Sequence, residues 1–223
     1  MPPVFLIGGG RGDDAVRASH RPFVDAVAGR PIVAVVLDEG DGTDVERWSA
    51  SLTLAGAAEI RTLVVSKQRP PRREDVEGAG GVFVAGGWTP GYHEALVGAD
   101  WLPPDVVYAG FSAGAAIAGR WAIVGGWRLG DLEVCAEEAG EDLEPLTVRD
   151  GLGLVPFAVD VHATQWGTLT RLAHAIRGRL APEGWAVDEG TALIYDGGRT
   201  RVEGLGVAYH VGGDLRLRIE RAT

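Results

Sequence analysis

Short, mostly apolar runs recur along the first half of this chain, and they constrain its fold more than any other feature. Each run has the length of a strand and is rich in β-branched residues, and amphipathic stretches separate several of them. The five runs are Val4–Ile7, Ile32–Leu37, Thr62–Val65, Val82–Ala85 and Val106–Ala109. A continuous apolar run is typical of a strand buried on both faces, as in a parallel sheet covered by helices. The first half therefore predicts an α/β fold.

The second half of the chain is less regular, and each element rests on its own signal. The predicted elements are a strand at Leu152–Val161 interrupted by Pro156, an amphipathic helix with apolar positions 169, 172, 173, 176 and 180, strands at Trp185–Val187 and Thr191–Tyr195, and a hairpin of Leu205–Val211 with Leu215–Ile219. No internal repeat or long linker divides the sequence. We therefore expect one domain of residues 1–223.

Composition and charge exclude several classes of partner. The chain carries 21 Lys and Arg against 31 Asp and Glu, a net charge of −10. Because such a chain repels phosphate backbones and anionic lipids, we expect neither a nucleic acid nor a membrane as partner. No apolar stretch approaches the roughly 20 residues that span a bilayer, residues 1–10 lack the features of a signal peptide, and Cys135 is the sole cysteine. These observations favour a cytoplasmic protein.

The sharpest local motif is Gly-Phe-Ser-Ala-Gly at residues 110–114, between the run Val106–Ala109 and a stretch of small residues. This is the Gly-x-Ser-x-Gly elbow in its required context, with a strand before it and a helix after it. The backbone passes close to its neighbours at such a turn, so small residues are needed on either side. The motif predicts Ser112 as a nucleophile, and a glycine-rich turn without chemistry is the alternative.

A serine nucleophile needs a base, and one of the five histidines stands out. His162 closes the run Leu152–Val161, and strand ends are where open α/β sheets build their sites. Asp160 would project to the same side, because side chains alternate along a strand. The other candidates are His20, in a charged helix that we expect to be exposed, with His93, His174 and His210. A surface histidine beside an acid is the alternative interpretation.

The acid that orients the base has three candidates, namely Glu189, Asp160 and Asp131. Glu189 lies at a tight turn between two apolar runs, which favours it, although exposed turn acids are common. Gly86-Gly87 follows the run Val82–Ala85. Such glycines either form only a turn or direct an N–H group at a developing oxyanion, beside the N–H of Ala113.

Together these features resemble peptidase family S51, the aspartyl dipeptidase and cyanophycinase group. Four blocks follow the family's order: Gly-Gly at 86–87, Gly-x-Ser-Ala-Gly-Ala at 110–115, Asp-x-His at 160–162 and Asp-Glu-x-Thr-Ala-Leu at 188–193. The resemblance implies a class I glutamine-amidotransferase-like (flavodoxin-like) fold, a three-layer α/β sandwich with a mostly parallel central sheet. It also implies a serine peptidase that cleaves a peptide or isopeptide bond without cofactor or metal. The implied roles are nucleophile for Ser112, base for His162, orienting acid for Glu189 and oxyanion hole for Gly87 and Ala113.

The chain departs from this family where the substrate would bind. Trp88-Thr89 stands where the family usually has Asn, often with Gln, Ala163 replaces a Phe, and of the following arginines only Arg171 remains. We therefore expect a pocket altered from aspartyl specificity. The residues expected to contact substrate are Trp88, Asp160, Trp166 and Arg171. Tryptophans in place of arginines predict an apolar or aromatic substrate side chain.

Three other functions remain open. Residues 10–15 fit Gly-x-Gly-x-x-Ala, a dinucleotide-binding pattern with Asp38 as its acid, although two aspartates would face the pyrophosphate. An α/β-hydrolase esterase would place its acid before the histidine, which is not the order here. The third is a protein of the same fold that is not a peptidase. It would either be catalytically silent and bind a small molecule, or act on one as an esterase or amidase does. We expect a small peptide or peptide-like substrate as partner, and the sequence is compatible with a homodimer.

Overall fold

A computed structural model of the protein describes residues 2–40 and 43–222. The strands of this part of the chain are β1 (Val4–Ile7), β2 (Ile32–Leu37), β3 (Ile60–Val65), β4 (Gly81–Val84), β5 (Val107–Phe111), β6 (Trp121–Gly125), β7 (Arg128–Leu129), β8 (Leu132–Glu133), β9 (Thr147–Asp150), β10 (Ala158–Val161), β11 (Gly184–Val187), β12 (Thr191–Asp196), β13 (Arg199–Gly204), β14 (Val207–Val211) and β15 (Leu217–Arg221). The helices are α1 (Asp13–Val27), α2 (Val45–Leu54), α3 (Thr89–Leu96), α4 (Ala113–Ala116) and α5 (Thr168–Arg177).

Seven strands form the first sheet, in the order β13-β12-β1-β5-β4-β2-β3. Five neighbouring strands of this sheet are parallel, namely β1, β5, β4, β2 and β3. Strands β12 and β13 add an antiparallel edge beside β1. Every residue of β1, β2, β4 and β5 is buried, because α1 and α2 pack together beside them and α4 packs against three of them. The five predicted strands are confirmed, with ends shifted by at most two residues.

A second sheet of six strands has the order β15-β14-β11-β10-β6-β9. Helix α4 contacts both sheets, and α5 packs on β10, β11 and β14. The predicted strand at Leu152–Val161 is confined to β10, since Pro156 has no N–H for a ladder hydrogen bond. The strands β11 and β12 belong to different sheets, so the turn at residues 188–190 crosses from one sheet to the other.

The predicted C-terminal hairpin is confirmed as β14 and β15. Strand β15 is an edge of the second sheet, and its alternating apolar residues are exposed, Leu217 at 50% and Ile219 at 57%. In the described part of the chain, no helix is both long and apolar enough to cross a membrane.

His20 is buried in α1, so the expectation of an exposed histidine was wrong. It lies on the helix face that packs on the first sheet, where its ring is 5.3 Å from the ring of Phe83 and 5.5 Å from that of Phe111. Its Nδ1 is 3.0 Å from Ser19 Oγ. Burial lowers the pKa of His20 from 6.5 to about 4, because an apolar environment disfavours the imidazolium.

This lowered pKa predicts a pH-dependent free energy of unfolding. Between about pH 6.5 and pH 4, His20 is protonated in the unfolded chain but stays neutral in the folded chain. The free energy of unfolding therefore falls as the pH falls through this range. The loss attributable to His20 between pH 7 and pH 4.5 is about 2.5 kcal/mol. Urea unfolding of wild type and His20→Phe at both pH values measures it, and the variant should lose correspondingly less. His174→Gln, on α5, should keep the wild-type dependence; equal losses in all three proteins would contradict this assignment.

Candidate active site

Ser112 lies at a sharp turn between β5 and α4. Its backbone φ is 51° and its ψ is −110°, a conformation that residues other than glycine rarely adopt. A Cβ at position 110 would lie 2.3 Å from the backbone of Gly114, and one at position 114 would lie 2.3 Å from the carbonyl oxygen of Val84. The glycines of the motif are therefore required by close backbone packing. The Ser112 side chain is half-buried and lines a cavity.

His162 lies directly after β10 and reaches Ser112 from the second sheet. Its Nε2 is 2.8 Å from Ser112 Oγ, and its Nδ1 is 2.7 Å from Glu189 Oε1. The position of the imidazole is set by the backbone of His162, which has a φ of 56°. The backbone N–H of His162 donates to the carbonyl of Gly8 at 2.9 Å. A Cβ at Gly9 would lie 2.1 Å from His162 Cε1, so only glycine leaves room for the ring.

The two hydrogen bonds define the tautomer of His162. An ionised carboxylate only accepts, so Nδ1 carries its hydrogen toward Glu189 and Nε2 presents a lone pair to the Ser112 hydroxyl. Burial lowers the pKa of His162, while the hydrogen bond and the charge of Glu189 oppose that shift. At neutral pH the ring is therefore neutral and able to accept a proton.

Glu189 reaches the imidazole from the turn that joins β11 to β12. Its backbone N–H donates to Gln165 Oε1 at 3.0 Å, which ties the turn to the segment after His162. Of the three candidate acids, Glu189 is the one that contacts His162. Asp160 is paired elsewhere, and Asp131 lies in the turn between β7 and β8.

One glycine of the dinucleotide-like pattern, Gly10, packs against this same turn, whereas a Cβ at Gly12 would meet nothing within 4 Å. A Cβ at Gly10 would lie 2.8 Å from the backbone nitrogen of Gly190 and 3.1 Å from Glu189 Cβ. The N–H of Gly190 donates to the carbonyl of Gly9 at 2.8 Å. Gly9 and Gly10 are thus accounted for by the room that His162 and Glu189 need.

Of the two residues expected in the oxyanion hole, Gly87 lines the cavity at Ser112 and Ala113 directly follows the serine. Neither N–H donates to a protein acceptor within residues 2–40 and 43–222. A Cβ at Gly86 would lie 3.0 Å from Ser112 Cβ, so the Gly86-Gly87 turn lies directly against the serine. Such unpaired N–H groups are the usual donors to a developing oxyanion.

Glu39 is a residue of this site that sequence reasoning missed. It follows β2 at the carboxyl edge of the first sheet, and its Oε1 accepts the Trp88 N–H at 2.6 Å. The same oxygen lies 2.6 Å from where a Cβ of Gly87 would be. Its position two residues after the predicted strand Ile32–Leu37, at the end where α/β sheets build their sites, is the signal that could have found it.

Asp160 and Arg171 were expected to contact substrate, and the structure corrects this. Arg171 donates through two nitrogens to both carboxylate oxygens of Asp160, at 2.9 and 2.7 Å, and also to the carbonyl of Ala139. The two side chains are 6% and 1% exposed and do not line the cavity at Ser112. Asp160 does not share a face with His162, because His162 lies beyond the strand in left-handed backbone.

This buried pair predicts a large effect on stability. Arg171→Met leaves the Asp160 carboxylate buried without its partner, so we expect it to lower the free energy of unfolding by about 3–5 kcal/mol. Urea unfolding measures the loss. Arg177→Met, at an exposed position of the same helix, should change stability by no more than about 0.5 kcal/mol. An equally small effect of Arg171→Met would show that the pair does not hold β10 to α5.

The two tryptophans expected in the pocket lie at different places. The Trp166 ring stacks on the His162 ring, with centroids 4.0 Å apart and planes 9° apart, and it is 44% exposed. It lines the cavity at Ser112. Trp88 lines a neighbouring groove, and its Nε1–H donates to the carbonyl of Glu141 at 3.3 Å.

The cavity at Ser112 has a volume of about 390 Å³, enough for a small ligand. It opens at the carboxyl ends of the parallel strands, between the chain segments that follow β1, β2, β4 and β5. Its charged lining residues are Arg11, Glu39, Asp44, Arg47, Glu138, Glu141 and Glu189. Among the described residues, no group of three or more His, Cys, Asp or Glu side chains is arranged to hold a metal ion.

Two solved structures share the fold of this chain. A peptidase from an acI-B1 Actinobacterium aligns with a TM-score of 0.70 and 17% identity, over 100% of this chain and 95% of its own. A candidate Peptidase E protein from Listeria monocytogenes EGD-e aligns with a TM-score of 0.59 and 15% identity, over 92% of this chain and 100% of its own. No protein-family model matches the chain, and no curated protein matches it in sequence. The predicted fold class is confirmed, and the resemblance to family S51 extends to the fold.

Proposed function

We propose that this protein is a serine hydrolase of the S51 type that cleaves an amide bond in a small peptide or peptide-like substrate. The observation that carries the proposal is the continuous hydrogen-bonded chain from Ser112 Oγ through His162 to Glu189, with distances of 2.8 and 2.7 Å. A nucleophile, a base and an orienting acid in that contact order are the parts that acyl transfer requires.

In the proposed reaction, Ser112 Oγ attacks the substrate carbonyl carbon while His162 Nε2 takes the hydroxyl proton. The N–H groups of Gly87 and Ala113 stabilise the oxyanion of the tetrahedral intermediate. His162 then gives its proton to the leaving amine, the C–N bond breaks, and an acyl-serine forms. Water, deprotonated by the same imidazole, hydrolyses the acyl-serine and restores Ser112. Glu189 stabilises the imidazolium that forms in each half of the cycle.

An amide substrate is supported by the S51 motif blocks and by the two structural neighbours, which are named as peptidases. A pocket altered from aspartyl specificity is supported by the residues around His162. The Trp166 ring is exposed to the cavity where the family's arginines would follow the histidine, and Arg171 is already paired with Asp160. Trp166 gives the substrate an apolar wall.

The test is hydrolysis of a library of dipeptides and tripeptides, with cleavage products detected by mass spectrometry. We expect new free amino termini with wild type and none with Ser112→Ala. A parallel set of esters of the same acyl groups separates peptidase from esterase activity. Cleavage of esters without any peptide cleavage would replace the peptidase by an esterase, and cleavage of neither class would leave a binding protein of the same fold.

A further inference from the structure

Two arginines lie in the wall of the cavity that holds Ser112. Arg11 follows the glycine run after β1, and Arg47 lies in the first turn of α2. The guanidinium carbon of Arg47 is 4.5 Å from the centroid of the Trp48 ring, which limits the positions that the side chain can take. Both arginines also line the adjoining cavity between α1 and α2.

Neither guanidinium forms an ion pair within the described residues, and the acid that acts on Arg47 from nearby is Asp44. Within residues 2–40 and 43–222, the ion pairs that involve arginine use other arginines, and neither side chain donates a hydrogen bond there. Burial and the nearby charge of Arg11 lower the pKa of Arg47, while Asp44 opposes them. Two like charges that face one space repel each other, and an anion between them relieves that repulsion.

Most of the acids in the same wall, by contrast, already form hydrogen bonds with other protein groups. Glu39 accepts from the N–H of Trp88 at 2.6 Å, and Asp44 caps α2 by accepting from the N–H of Arg47 at 3.0 Å. Glu189 holds His162, and Glu141 accepts from Thr89 at 2.9 and 3.1 Å. Glu138 is the one carboxylate of this wall without a hydrogen bond in the described part of the chain. Besides the N–H groups expected in the oxyanion hole, the two guanidinium groups are the charged donors that this wall offers a ligand.

We propose that Arg11 and Arg47 together bind a carboxylate of the substrate while the scissile carbonyl lies at Ser112, an inference that rests on the proposed function. A guanidinium donates two parallel N–H groups to a carboxylate, so this contact both orients and selects the ligand. The arginines are not those expected after His162, which is why the sequence did not point to them. The carboxylate is either the terminal carboxylate of a short peptide or that of an acidic side chain.

The test is calorimetric titration of the Ser112→Ala protein, which keeps the cavity without consuming the ligand. Three ligands separate the two sources: Leu-Leu, Leu-Leu amide and Asp-Leu amide. A terminal carboxylate predicts that Leu-Leu binds at least 10-fold more tightly than its amide. A side-chain carboxylate predicts that Asp-Leu amide binds at least 10-fold more tightly than Leu-Leu amide. Charge-assisted hydrogen bonds have effects of about 10- to 100-fold.

The arginine variants assign this preference to residues. Arg47→Gln and Arg11→Gln, each in the Ser112→Ala protein, should abolish it. Arg21→Gln removes the same charge from an exposed pair on α1 and should leave the preference intact. Equal affinities for all three ligands, no measurable binding of any, or a preference that survives both cavity substitutions would overturn the inference. Peptide cleavage by wild type is measured separately. If wild type cleaves peptides but ligand binding does not depend on either arginine, this inference alone is refuted. If binding depends on the arginines but no peptide is cleaved, the proposed function alone is refuted.

Discussion

Ser112→Ala should lower kcat for peptide hydrolysis by about 10⁴- to 10⁶-fold, the loss that removal of a triad nucleophile produces. Within the described residues, the hydroxyl makes one hydrogen bond to a side chain, with His162 Nε2 at 2.8 Å. The side chain lies at a cavity wall, so little packing depends on it. We therefore expect the variant to keep the thermal stability of wild type while it loses turnover.

The matched control is Ser49→Ala on α2, which removes a hydroxyl that is 3.3 Å from Thr62 Oγ1 at the protein surface. It should keep wild-type kinetics. Steady-state kinetics and thermal unfolding on the three proteins separate a chemical effect from a structural one. Turnover by Ser112→Ala within 10-fold of wild type would remove the serine from the mechanism.

Glu189→Gln should lower kcat by about 10⁴-fold, as the corresponding change does in serine protease triads. The amide can donate to Nδ1, which turns the hydrogen of His162 toward Ser112 and removes the lone pair that accepts the proton. The carboxylate also raises the pKa of His162 against the effect of burial. Without it the pKa of His162 falls, so the acidic limb of the kcat/KM profile shifts to lower pH.

The pH profile distinguishes this role from a structural one, since at pH values where the variant stays folded a structural effect does not move the acidic limb that reports His162. Asp131→Asn is the control, because Asp131 lies in the turn between β7 and β8 and makes no contact with His162. Its kinetics and profile should match wild type. If Glu189→Gln retained the wild-type profile and Asp131→Asn did not, the orienting acid would have to be reassigned.

The sequence was most informative where structure depends on local pattern. Continuous apolar runs predicted the parallel strands, because a strand buried on both faces has no polar side to interrupt the pattern. The elbow at residues 110–114 was predictable because its glycines are required by close packing against residues nearby in sequence and against one neighbouring strand.

The remainder depends on contacts between distant parts of the chain. Nothing near Asp160 in sequence shows that Arg171 neutralises it, and nothing near His20 shows that Phe83 and Phe111 cover it. Arg11 and Arg47 line the same cavity only because β1 and β2 end at the same edge of the sheet. These positions follow from the tertiary arrangement, which residue spacing does not specify.

The most direct test of the central proposal is covalent labelling with a fluorophosphonate, which reacts with a serine activated by a neighbouring base. Intact-mass spectrometry should show one phosphonyl group per wild-type chain, and peptide mapping should place it on Ser112. Ser112→Ala should remain unlabelled, and Glu189→Gln should label far more slowly. A chain that takes up no label, or that carries it on another serine with Ser112→Ala still labelled, would contradict the assignment of Ser112, His162 and Glu189 as a hydrolytic triad.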